Sequence, residues 1–156
     1  MSEKSDIQNP LHDVTQKVLE DWAMMLVDES PTNPGLFAKD QPLLMSWVNM
    51  QGTIKGTLCI VAQEPFLRGL AANLLGDTPA DQVSEGDYRD AFKEMSNVLA
   101  GNFFTTAYGS EHTYDLLYPN VVEIDSEQFE KLANQRTTSF FVADDSPVCV
   151  TFTVEG

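Results

Sequence analysis

Residues 43–63 read LLMSWVNMQGTIKGTLCIVAQ. Aliphatic, aromatic and β-branched residues fill both halves, and Gln51-Gly52 divides them where a hairpin turn would. The stretch predicts two strands, Leu43–Met50 and Thr53–Gln63. In the second, Ile54, Leu58 and Ile60 share one face with Gly56 between them, and Cys59 falls on the other. Directly after it, Glu64-Pro65 opens a short helix that Gly76 stops behind Leu75. Proline suits a first helical turn and glycine an end.

Upstream, residues 1–8 are polar and read as a frayed start. A helix pattern follows from about Pro10 to Val27, with Leu11, Val14, Val18, Leu19, Trp22, Met25 and Leu26 at helical spacing. Pro31, Pro34, Gly35 and Pro42 mark residues 28–42 as loop. Downstream of a polar loop at 77–85, the longest amphipathic helix runs from about Gly86 to Tyr108, with Gly109 as its stop. Tyr114–Ile124 reads as extended and bent at Pro119, and Asp125–Gln135 as a helix with an acidic start. Thr137–Ala143 and Val148–Val154 read as strands joined through Asp144-Asp145-Ser146-Pro147, the second alternating as a half-exposed strand does. Hairpins interleaved with helices define an α+β fold, long helices packed against a largely antiparallel β-sheet, in a single domain over residues 9–156.

The chain carries 9 Lys+Arg against 24 Asp+Glu, a net charge of −15, which repels nucleic-acid phosphates and anionic lipid heads. The expectation is therefore no nucleic-acid and no membrane partner. The polar start Met1-Ser2-Glu3-Lys4-Ser5-Asp6 has no apolar segment behind it, and the run Trp22–Val27 is too short to cross a bilayer. Cys59 and Cys149 make no disulfide framework and read as reduced, half-buried thiols. A cytoplasmic location follows as the expectation. His12 and His112 show no metal-ligand spacing, and no nucleophile-elbow or P-loop pattern occurs.

At about 100° per residue, Tyr88, Ala91, Phe92, Met95, Val98, Leu99 and Phe103 fall on one side of the long helix. On the other side Asp90, Glu94, Asn97 and Gly101 stack into one stripe. A carboxylate and an amide one turn apart can address one small target together. An ordinary solvated face has the same look, but Asn is a mediocre helix former and an interior Gly costs about 1 kcal/mol relative to Ala. The pair suggests that something approaches this face closely. Phe104 lies near Asn97 in helical angle, off the main apolar side, as a partner contact or part of a second buried interface.

Asp90-x-x-x-Glu94-x-x-Asn97, followed by Leu99-Ala100-Gly101-Asn102, resembles the active-site helix of the CheC/CheX/FliY chemotaxis phosphatases. Asn9-Pro10, the segment from Gly52 to Leu58, Leu74-Leu75-Gly76 and Tyr118-Pro119-Asn120-Val121-Val122 are similar to other parts of that family, over about residues 9–155. The first helix, where two-site members carry a second motif, reads Asp13-x-x-x-Lys17-x-x-Glu20 and lacks it. The single-site CheX-like branch is therefore the nearer resemblance.

That resemblance implies a CheC-like fold, a homodimer, and as substrate the phosphoaspartate of a CheY-like response-regulator receiver domain. An acyl phosphate is already reactive, so attack by water needs positioning more than a strong base. The receiver is expected to bring the Mg2+ and a lysine, so this chain needs no cofactor or metal of its own. Asn97 then orients the water, since a neutral amide can accept a hydrogen bond beside a dianion. Glu94 pairs with the receiver's lysine. Asp90 and Gly101 support the helix or the docking. The rival expectation is a non-catalytic CheC-like module that binds a receiver domain or a flagellar or signalling partner.

Overall fold

The computed structural model describes residues 3–28, 37–111, 113–135 and 137–155. Its elements are α1 (Glu3–Lys17), continued by a π-helical turn at Val18–Trp22, β1 (Val27–Asp28), β2 (Leu43–Gly52), β3 (Lys55–Ala62), α2 (Glu64–Leu75), α3 (Glu85–Tyr108), β4 (Tyr114–Leu116), β5 (Asn120–Ile124), α4 (Ser126–Ala133), β6 (Ser139–Ala143) and β7 (Ser146–Glu155). The strands form one sheet in the order β1-β6-β7-β3-β2-β4, with β5 beside β4 along the same edge of β2. Each pairing is antiparallel. The expected α+β class is the observed one.

Alternation explains the layers. Leu44, Val48 and Met50 of β2, Leu58 and Ile60 of β3, and Val148, Val150 and Phe152 of β7 form one core with α1, α2 and α3. Full burial of an aliphatic or phenyl side chain is worth about 1.5–3 kcal/mol, so this face holds most of the apolar stabilisation. On the opposite face Val61, Ile124, Phe140 and Cys149 meet Phe129 of α4. That cover corrects the half-exposed reading of β7: Cys149 and Thr151 are buried as well.

Several boundaries differ from expectation. Residues 3–8, expected to fray, are helical in backbone, with Pro10 inside the helix. A proline removes one hydrogen bond without forbidding a helix on both sides of it. At its other end the helix stops at Trp22 rather than Val27, because Met24 takes a left-handed φ of 58° and the Asn73 side chain donates to the Ala23 carbonyl at 2.9 Å. Val27 and Asp28 instead pair with Ala143 and Val142.

The hairpin turn lies at Thr53-Ile54, beyond Gln51-Gly52, since Met50 pairs with Gly56. Gly52 still extends β2 and pairs with Tyr114. A Cβ there would collide with the Thr113 carbonyl and stand 2.8 Å from the Tyr114 Cα, so close strand approach explains this glycine. The last hairpin closes on two residues, Asp144 and Asp145, both at positive φ, so Ser146 and Pro147 already belong to β7. The loop expected at 28–42 is strand at Asp28 and irregular from 37 to 42; its residues 29–36 lie outside the described residues, as do Met1, Ser2 and His112.

Candidate functional site

α3 is one unbroken helix of 24 residues. Ser84 caps it, its hydroxyl accepting from the Asp87 amide at 3.0 Å, and Gly109 at φ 91° ends it. Tyr88, Ala91, Phe92, Met95, Leu99 and Phe103 are buried as the periodicity requires, while Val98 is half-buried. The helix is keyed to the sheet by a buried pair of hydroxyls, Ser96 to Ser46 of β2 at 2.6 Å, and Ser96 also donates to the Phe92 carbonyl.

On the outer side Asp90 and Glu94 are exposed, and Asn97 and Gly101 half-buried. The stripe is thus continuous, and its amide lies lower than its carboxylates. Two walls flank it. On one side the end of α2 leaves Leu74 36% and Leu75 48% exposed beside a groove shared with Asp90 and Glu94. On the other runs the segment from β4 to β5. Tyr114 brings its hydroxyl to the Gly101 carbonyl at 3.5 Å, and Tyr118, 79% exposed, lies under the Lys93 ammonium at 5.8 Å from the ring centroid. What approaches Gly101 within the chain is therefore the Tyr114 phenol.

Phe104 is wholly buried, its ring 4.0 Å from that of Tyr114 between centroids. Of the two sequence expectations for it, the buried packing is the observed one; no surface is left for a partner. The two walls were missed by the sequence reading. Leu74-Leu75 and Tyr118 each interrupt a polar surface with an apolar residue beside a Gly or Pro, a signal that exists but does not say which helix face lies next to it.

Among the described residues no three His, Cys, Asp or Glu side chains gather as a metal site. His12 stacks on Phe141 at 4.9 Å, and Asp144-Asp145 serves as a turn whose first carboxylate accepts from the Leu26 amide at 2.9 Å. No described helix is long and apolar enough to cross a membrane. Asp13, Lys17 and Glu20 of the first helix are exposed, without the Glu–Asn pair.

Helices packed on an antiparallel sheet in this order make the CheX/CheC-like fold. The family model described as chemotaxis phosphatase CheX matches residues 44–143, and the chain belongs to that family. Solved structures agree in fold. A CheX from Vibrio vulnificus superposes with a TM-score of 0.69 at 16% identity, covering 99% of this chain and 100% of that one. A CheC-like superfamily protein from a Shewanella species gives 0.64 at 20% identity, with 100% of both chains covered. A chain of the CheX–CheY–BeF3–Mg2+ complex from Borrelia burgdorferi gives 0.62 at 17% identity, covering 96% of this chain and 98% of that one. No curated protein matches the sequence.

Proposed function

We propose that this chain is a phosphoaspartate phosphatase acting on a CheY-like receiver domain, with Glu94 and Asn97 as its working residues. The observation that carries the reading is the stripe on α3: an exposed carboxylate and a half-buried amide three residues apart on one unbroken helix. Family membership and the CheX–CheY complex from Borrelia burgdorferi support it.

In this reading the receiver docks across α3 and supplies its own Mg2+, lysine and phosphoryl group. Glu94, carried outward, pairs with the lysine and sets the register. Asn97, set lower, accepts a hydrogen bond from the attacking water and holds it in line with the phosphorus. The water adds to phosphorus, the aspartyl carboxylate leaves, and inorganic phosphate is released. A carboxylate aimed at the phosphoryl group would be repelled, so Glu94 acts in docking and not as a base. Homodimerisation and a cytoplasmic location belong to the same proposal; sedimentation equilibrium checks the first.

The test is phosphate release from a panel of phosphorylated receivers with Mg2+ present. Asn97→Ala should slow accelerated dephosphorylation by on the order of 10²-fold and leave receiver binding within a few-fold. Glu94→Gln should weaken binding and turnover together. Full activity in Asn97→Ala would remove the catalytic assignment and leave a receiver-binding module.

A further inference from the structure

An acidic chain that must dock on an anionic, phosphorylated partner faces long-range repulsion, and its net charge of −15 makes that cost general. The stripe itself is acidic, with Asp90 and Glu94 both exposed. Among the described residues, Lys93 stands beside it. Lys93 precedes Asn97 by one helical turn and lies half-buried on the β4–β5 side. It enters none of the ion pairs of the described residues, whereas Arg68 pairs with Glu64 and Arg89 with Glu85. Its ammonium is held over the Tyr118 ring, and Tyr118 is placed by Pro119 on one side and by the Leu117 amide, bonded to the Asn49 carbonyl at 2.8 Å, on the other.

We propose that Lys93, held over Tyr118, is the electrostatic docking contact that steers the anionic phosphoryl-bearing face of a receiver onto the α3 stripe. The inference rests on the phosphatase reading above and assigns to that site a third, non-catalytic contact. A lysine held on an aromatic face keeps its charge in one place, so less side-chain freedom is lost when the partner arrives. Its partner of complementary charge is the phosphoryl group with the acidic residues that surround it. The remaining surface repels that partner, so orientation is selected along with affinity.

The experiment measures kcat/KM for a phosphorylated receiver against ionic strength, together with binding of a beryllofluoride-loaded receiver, for the intact chain and four variants. Lys93→Gln should lower kcat/KM by about tenfold, mostly through KM, and alter its salt dependence. Lys93→Arg, which also stacks on an aromatic ring, should recover most of the loss. Tyr118→Leu should fall between them. Lys131→Gln removes the same charge from exposed α4 and should leave both the rate and its salt dependence unaltered. Equal losses in Lys93→Gln and Lys131→Gln would reduce the effect to net charge and overturn the proposal. So would an intact KM in Lys93→Gln beside normal turnover, which leaves the phosphatase reading standing. If the intact chain neither binds nor dephosphorylates any receiver, both readings fall.

Discussion

Gly101 occupies a helix interior, where it costs about 1 kcal/mol relative to Ala. The fold does not require it: among the described residues the nearest atom to a Cβ built there is the Tyr114 hydroxyl at 3.7 Å, an ordinary contact. Gly101→Ala should therefore raise stability by about 0.5–1 kcal/mol, read as a higher urea midpoint at constant m. On the phosphatase reading proposed above, the same methyl would stand on the stripe one turn past Asn97 and hold a docked receiver away, so turnover should fall as stability rises. A destabilised Gly101→Ala would show that the fold itself needs the glycine. Phe104→Ala is the counterpart. It empties a buried site against Tyr114 and should cost about 3–5 kcal/mol in the same titration. The oddity of Gly101 was legible in the sequence because helix propensity is local. A buried interface for Phe104 was one of two readings its helical angle allowed; that Tyr114 covers it was not legible, because that ring comes from a different strand.

At the scale of elements, α2 and α3 lie where their sequences place them because their ends are written locally. Glu64-Pro65 and Gly76 bound α2, and Ser84 and Gly109 bound α3. Ser84→Ala should cost about 1 kcal/mol by thermal or urea unfolding, since the Asp87 amide loses its acceptor. α4 is equally explicit, with Asp125 and Gln128 exchanging side-chain to backbone bonds in a capping box. The elements that moved are those whose ends are set from a distance. Gly52 carries the turn composition, yet the turn forms at Thr53-Ile54 because β4 pairs along Gly52. The first helix gives way at Met24 because Asn73 of α2 caps it and β6 claims Val27 and Asp28. For the site, the stripe was legible as a period along one helix, whereas its walls depend on which elements the sheet brings alongside.

For the whole molecule the two cysteines report on packing. Burial pushes the Cys59 thiol up from 9.0 to about 11, and burial plus the neighbouring Cys59 pushes Cys149 up to about 12. Raised thiol values mean that the folded state holds protons the unfolded chain releases. Their contribution is therefore fully present below about pH 9 and is lost as pH rises through 11 to 12. The fall in stability from pH 9 upward should be shallower in the Cys59→Ala/Cys149→Ala variant than in the native chain, measured by urea unfolding at each pH. The sheet's covering is also unequal, with α1, α2 and α3 over one face and α4 with its eight residues over Cys149. Partial opening then has a preferred side. During a temperature ramp, a thiol reagent should find Cys149 before Asn97 loses its place on α3, so the molecule can be chemically tagged at its back while the helix that carries the stripe is still in place.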